Sequence, residues 1–280
     1  MSFARAYLTA TDTVTTEEAI SWDAVRGALS AWAGGNPTRL TVPAGVTHVR
    51  LTGSLHGNTA SFATRNTLKI HKNGAAMSPL PRQTYDYNSN TNGWTNRAFT
   101  LQSYIVPVVE NDYFELLATA SSTWDVTTSR SFFEMETISD FQGVLLKKTS
   151  QQTGLDLTSA YVSVSWDAEE YDTDGFWTSG TDIVVPAGYS YAQCIFNIEL
   201  EPIVDSASRG VSIRKNGASI VNFVKSRGTT GSFAQDQQIV SPIVPVSQGD
   251  TLDAQVIVAD SDSDQINTTS SFFGARFWSS

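Results

Sequence analysis

The residues best suited to chemistry in this 280-residue chain lie in one polar, aromatic stretch: Tyr85, Asp86, Tyr87, Asn88, Asn90, Asn92, Trp94, Asn96 and Arg97. Residues 85–97 combine three rings with short amides and one carboxylate and hold no aliphatic side chain, so the stretch is not a core strand throughout. Sugar recognition uses this mixture, because apolar sugar faces stack on flat rings while Asn and Asp side chains bond to hydroxyls. The same composition serves protein recognition. It also suits an ordered surface loop whose rings pack on their own domain or on a neighbouring subunit.

Asp260, Asp262 and Asp264 form the densest acidic cluster. Their alternation is that of a calcium loop, but Gln265 stands where an EF-hand needs glycine, and Ser271 where it needs the bidentate glutamate. Asp172 and Asp174 beside Gly175 are a weaker second pair. No cofactor is required by any motif, and calcium is the one candidate; the alternative is a solvated acidic loop.

Signals of catalysis are missing. His48, His56 and His71 all fall in the first half without metal-ligand spacing, and His48 and His71 alternate with Val49 and Ile70 as exposed strand residues do. There is no nucleophile elbow, phosphate loop or dinucleotide fingerprint. A glycosidase needs two carboxylates in one cleft; among 28 acidic residues no motif marks such a pair. The expected function is therefore non-enzymatic. Cys194 is the single cysteine, which excludes an intrachain disulfide, and its neighbours Ile195 and Phe196 predict a buried side chain.

A net charge of −10 with no basic run longer than Lys147-Lys148 excludes nucleic acid as a partner. It also repels anionic polysaccharides at long range unless a basic patch or a bound cation intervenes. The N-terminus lacks the basic and apolar regions of a signal peptide, and no apolar run reaches membrane-spanning length. The expectation is a product made in the cytoplasm, with no membrane partner, that leaves by a route such as lysis.

The elements that position these residues occur twice. Leu68 to Ala75 (LKIHKNGA) returns as Val211 to Ala218 (VSIRKNGA): alternating apolar residues that run into Lys-Asn-Gly, the signature of a strand entering a type I′ hairpin. Ser21-Trp22-Asp23-Ala24 returns as Ser165-Trp166-Asp167-Ala168, and Val42-Pro43-Ala44-Gly45 as Val185-Pro186-Ala187-Gly188. Ile105-Val106-Pro107-Val108 returns as Ile243-Val244-Pro245-Val246, and Ser131-Phe132-Phe133 as Ser271-Phe272-Phe273. The order is conserved between the halves, so the chain reads as two copies of one domain, 1–139 and 143–280.

Low charge and abundant Thr, Ser, Asn and Gly fit an all-β protein. About eight to ten strands per copy are expected at the spacing of a sandwich or jelly roll. First strands are predicted at 6–11 and 144–149. Residues 15–32 also fit a helix, with Thr15 and Glu18 as a capping box. The second copy alternates over Val162, Val164 and Trp166, and both stretches are read as strands.

In this order the motifs resemble the C1q/TNF-like jelly roll. Copy two carries the likeness best: Val185-Pro186-Ala187-Gly188-Tyr189-Ser190-Tyr191, then Lys215-Asn216-Gly217, Gly249-Asp250 and Ser271-Phe272-Phe273-Gly274. Copy one departs from it, with Val46 to Val49 for the aromatic pair, Glu110-Asn111-Asp112 for Gly-Asp, and Glu134 for the last glycine. The resemblance implies two tandem jelly-roll β-sandwiches, all-β, that assemble as a homotrimer and serve recognition.

Such domains are also similar to those on phage and phage-like particles, such as the head spike or fibre of a tailed phage or gene transfer agent. The expected function is a virion adhesin, anchored to a spike base or capsid protein, whose residues 85–97 attach to a host surface polysaccharide by multivalent binding. A purely structural spike connector is the alternative, and a glycan-degrading enzyme the second.

Overall fold

A computed structural model of the chain describes residues 2–27, 36–59, 65–86, 96–120, 123–128, 130–155, 160–201, 209–225, 235–258 and 264–279. The chain divides into two compact units, Met1–Asp140 and Phe141–Ser280. Every regular element among the described residues is a β-strand, and every pairing is antiparallel.

Unit 1 contains β1 (Phe3–Tyr7), β2 (Asp12–Val14), β3 (Glu18–Ala19), β4 (Ala24–Gly27), β5 (Arg39–Thr41), β6 (His48–Thr59) and β7 (Arg65–Lys72). It continues with β8 (Ala75–Ala76), β9 (Arg82–Asp86), β10 (Asn96–Gln102), β11 (Val106–Pro107), β12 (Tyr113–Ala120), β13 (Trp124–Val126) and β14 (Phe132–Thr137). Unit 2 contains β15 (Gln142–Lys147), β16 (Gln152–Leu155), β17 (Val162–Ser163), β18 (Ala168–Asp172), β19 (Asp182–Val184) and β20 (Tyr191–Glu201). Its remaining strands are β21 (Arg209–Lys215), β22 (Ala218–Lys225), β23 (Gln235–Val240), β24 (Val244–Pro245), β25 (Thr251–Val258), β26 (Asp264–Ile266) and β27 (Phe272–Trp278).

The pairings are nested. In unit 1, β1 pairs β14, β5 pairs β12, β6 pairs β10 and β7 pairs β9, and successive pairs lie in alternate sheets. Unit 2 repeats this with β15 and β27, β19 and β25, β20 and β23, β21 and β22. A chain folded back on itself about one central hairpin and then wound over two sheets is a jelly roll. Each unit is a jelly-roll β-sandwich, and its central hairpin is Lys-Asn-Gly. Both central residues are left-handed, Asn73 and Gly74 at φ 54 and 76° and Asn216 and Gly217 at 50 and 78°, as a type I′ turn requires.

The core follows from strand alternation. In β12, Phe114, Leu116, Ala118 and Ala120 point inward and are buried, and the residues between them are half-buried. Trp22 and Trp166 are buried at equivalent places and stack on Phe133 and Phe273, with centroids 6.4 and 6.1 Å apart. Burying one such ring contributes about 1.5–3 kcal/mol. Volume is exchanged between the copies. Gly53 leaves room for Leu116, whose Cδ1 lies 2.6 Å from where a Cβ would stand. Copy two holds Phe196 at the Gly53 position and Ala254 at the Leu116 position, a large-for-small reversal.

The bounds of the first strands are corrected, and the strand reading of the stretch after them agrees with β3 and β4. The first strands end earlier than 11 and 149, at Tyr7 and Lys147. The Asp of each Trp-Asp pair takes the next backbone N–H groups: Asp23 those of Thr9 and Ala10, Asp167 those of Thr149 and Ser150. The Glu18 carboxylate does accept the Thr15 N–H at 3.0 Å, yet strands β3 and β4 follow instead of a helix. β4 is drawn into the ladder beside β1, and that pairing outweighs local helical preference.

Candidate functional site

The polar aromatic segment is anchored at both ends. Tyr85 and Asp86 close β9 in the smaller sheet of unit 1, and Asn96 and Arg97 open β10 in the larger sheet. Asn66 stands opposite Tyr85 and Arg65 opposite Asp86, while Asn58 faces Asn96 and Gly57 faces Arg97. The segment therefore passes from one sheet to the other at the end where β6 ends, β7 begins and β12 ends. Tyr87, Asn88, Asn90, Asn92 and Trp94 lie outside the described residues, as do the side chains of Tyr85, Asp86, Asn96 and Arg97.

Asp260 and Asp262 also lie outside the described residues. Asp264 opens β26, opposite Leu155. Among the described residues no group of three or more His, Cys, Asp or Glu is arranged to hold a metal ion. Asp172 and Asp174 have other tasks. The Asp172 carboxylate accepts the N–H groups of Asp174, Phe176 and Trp177 at 3.1, 3.0 and 2.8 Å and so fixes the turn at Gly175. Asp174 accepts the Tyr189 hydroxyl at 3.0 Å.

His48 and His71 are half-buried, not exposed, and burial holds both below the ordinary imidazole range. Glu17 and Glu115 oppose that effect at His71. His56 sets its Nδ1 3.0 Å from Thr127 Oγ1. Cys194 is 1% exposed and stands where copy one has the core residue Leu51. Burial pushes its thiol up to about 12, against a small opposing effect of Ser241, which leaves it without thiolate character at neutral pH.

The densest electrostatic arrangement serves the fold. At the hairpin of unit 2, Lys215 Nζ lies 2.9 Å from Asp250 Oδ2 and donates to the Pro245 carbonyl at 2.7 Å. Asn216 Nδ2 donates to Asp250 Oδ1 at 2.7 Å, and Thr251 N–H donates to Asn216 Oδ1 at 2.8 Å. Unit 1 repeats the clamp with Lys72, Asn73, Asp112 and Tyr113. The hydrogen bonds from Lys215 and Asn216 lower the Asp250 carboxyl to about 2. Burial raises the Asp112 carboxyl, but the bonds from Lys72, Asn73 and the Val109 N–H outweigh it and the net shift is downward.

Two groupings escaped sequence reading. Glu199 and Asp236 face each other on β20 and β23, and Ser270 Oγ bonds to both carboxylates. They are 5 and 2% exposed, within a network that includes Asn197 and Gln238, so this acid pair is built into the sheet. Strand alternation puts Glu199 on the outer face, but nothing in the sequence reveals that Asp236 meets it. The second grouping is Tyr191 and Trp278, stacked at 6.1 Å on the outer face of the larger sheet of unit 2. Arg276 lies over the Trp278 ring at 5.5 Å, and Tyr191 and Ile243 are 38 and 58% exposed.

The same face differs between the copies in one register row. Unit 1 has Arg5, Glu134, Thr52 and Gln102 side by side, with Arg5 and Glu134 paired at 2.6 Å. Unit 2 has Leu145, Gly274, Ile195 and Val240. A Cβ at Gly274 would meet Leu145 and Ile195 side chains at 3.2 and 3.3 Å. That is why glycine closes the motif in copy two and Glu134 replaces it in copy one.

No protein-family model matches the chain, and no curated protein matches it. Solved structures match it at low similarity. Murine APRIL is 11% identical, with TM-score 0.36, over 50% of this chain and 100% of that one. Dimeric latent PorU from Porphyromonas gingivalis is 9% identical, with TM-score 0.32, over 80% of this chain and 24% of that one. The infectious bursal disease virus Gx strain structure is 10% identical, with TM-score 0.29, over 99% of this chain and 75% of that one. No helix is long and apolar enough to cross a membrane among the described residues. The jelly roll rests on the nested pairing of the strands.

Proposed function

We propose that the chain is a non-enzymatic spike or fibre adhesin of a virion, of the C1q/TNF-like kind, which binds a host cell-surface polysaccharide as a homotrimer. One observation carries the reading: residues 85–97, rich in rings and amides, begin at the end of β9 in one sheet and finish at the start of β10 in the other, at one end of unit 1. Loops that span the end of a rigid sandwich are where such folds present ligand-binding side chains. Stacking on Tyr85, Tyr87 and Trp94 would supply affinity, and Asp86, Asn88, Asn90, Asn92, Asn96 and Arg97 would read hydroxyls.

Assembly draws support from unit 2, whose Tyr191, Trp278, Arg276 and Ile243 have the composition of an interface centre. Three copies would multiply weak sites into useful avidity. Binding needs no cofactor in this reading, and calcium at Asp260, Asp262 and Asp264 is the one ion it admits.

The test is binding of the purified protein to a panel of bacterial surface polysaccharides, with Trp94→Ala beside it. Binding that the substitution removes is the expected result. A folded oligomer that binds no glycan sinks the reading and favours the structural connector.

A further inference from the structure

Unit 1 contains buried polar atoms that have no hydrogen-bond partner among the described residues. Asn66 is 1% exposed and lies on the inward face of β7, in line with Leu68 and Ile70. Neither its Oδ1 nor its Nδ2 has a hydrogen-bond partner. Gln83, on the neighbouring strand β9 and opposite Leu68, buries an Oε1 without a partner. From the other sheet, Trp124 is fully buried, and its Nε1–H donates to nothing. That nitrogen lies 2.6 Å from where a Cβ on Gly57, the last inward-facing glycine of β6, would stand. All of these groups sit at the end of the sandwich that residues 85–97 bridge.

Such a concentration is unusual, because buried amides and indoles almost always find a partner, in protein or in ordered water. Copy two repeats the feature from a different strand. Gln237 occupies the Phe99 position, is 2% exposed, points inward beside Ile198, and leaves both amide atoms unpaired. Both cores thus bury a carboxamide with neither amide atom paired, Asn66 and Gln237, toward the same end.

We infer that unit 1 holds a neutral hydroxyl oxygen between its sheets, bound by Asn66, Gln83 and Trp124. The chemistry selects this class. Two donors, Asn66 Nδ2–H and Trp124 Nε1–H, repel a cation, and two acceptors, Asn66 Oδ1 and Gln83 Oε1, repel an anion. A water can donate to both acceptors and accept from both donors, and two to four polar partners are what a buried water needs; a sugar hydroxyl accepts from both donors and donates to one of the two acceptors. The oxygen comes either from an internal water or from a sugar hydroxyl entering at this end of unit 1. The second source rests on the adhesin reading, and the first does not.

Asn66→Leu removes both amide atoms at nearly constant volume and separates the cases. Thermal unfolding of the full chain is measured with and without an excess of free monosaccharides. A resident water predicts a Tm lower by about 3 °C or more without any sugar, since the bridge is lost. A sugar hydroxyl predicts an unchanged or higher Tm for the free variant, together with loss of the stabilisation that sugars give the parent. A variant with unchanged or raised Tm overturns the inference if its sugar response matches that of the parent, or if the parent has none. If polysaccharide binding is lost in Trp94→Ala but kept in that variant, the adhesin reading stands without this site. Should Asn66→Leu not fold, the crystal structure of the unaltered chain decides: an oxygen within hydrogen-bond distance of Asn66 Nδ2 and Trp124 Nε1 supports the site, and empty density there refutes it.

Discussion

Replacing Asp250 with Asn removes the charge at the centre of the unit 2 hairpin clamp while keeping its shape. The carboxylate accepts from Asn216 Nδ2 at 2.7 Å and from the Ser247 N–H at 2.8 Å, and it pairs with Lys215 at 2.9 Å. Its side chain is only 15% exposed. These donors bring its folded pKa to about 2, against an ordinary 3.8. A folded pKa below the unfolded one stabilises the native state above the unfolded pKa, and that contribution disappears as pH falls through the folded pKa. At 1.36 kcal/mol per pH unit the difference is about 2 kcal/mol at neutral pH. Asp250→Asn should therefore lower the unit 2 transition by about 6 °C at pH 7 in scanning calorimetry. The gap from the parent should close as pH falls from about 5 to 2. Asp112→Asn should act in the same direction on the unit 1 transition. A gap that is absent at pH 7, or that stays constant down to pH 2, would refute the reasoning.

Two further outcomes follow from the outer face of unit 2. Trp278→Ala combined with Tyr191→Ala should convert a trimer in light scattering to a smaller species without loss of folding, and a monomeric parent protein would end the trimer proposal. Gly274→Glu should destabilise unit 2 by about 3 kcal/mol or more, because a charge is placed between Leu145 and Ile195 without a partner. Adding Leu145→Arg recreates the Arg5–Glu134 pair of copy one and should recover part of that loss; additive losses in denaturant unfolding would show that the faces are not interchangeable.

The sequence was most legible where one residue type has one structural use. Asn-Gly fixes a type I′ turn, strand alternation assigns the faces, and the ordered motifs gave the jelly roll. Legibility failed where distant groups compete for the same backbone. Asp23 and Asp167 stop the first strands through bonds 13 to 18 residues away. His48 and His71 alternate like exposed residues, yet each is half-buried on a strand paired within its own sheet. The Glu199–Ser270–Asp236 grouping joins three separate segments, and Tyr191 meets Trp278 only because β20 and β27 are neighbours. No local pattern encodes such meetings.

The duplication itself supplies the remaining argument. The parts that both copies keep are those that hold the winding together: the Lys-Asn-Asp clamp, the Trp-Asp corner, and the serine hydroxyl, Ser103 or Ser241, that accepts the N–H of Leu51 or Cys194. Apart from core exchanges such as Gly53 and Leu116 for Phe196 and Ala254, the parts that differ lie on surfaces and ends, where the fold makes few demands. Copy one carries the ring-and-amide segment at one end and salt bridges across its broad face; copy two carries apolar and aromatic residues on the equivalent face. Salt bridges among half-exposed residues remain solvated and contribute little to stability, whereas the exposed Tyr191 and Ile243 gain from being covered. The proposed division, in which copy one meets ligand and copy two meets its own kind, draws its support from that difference in solvation.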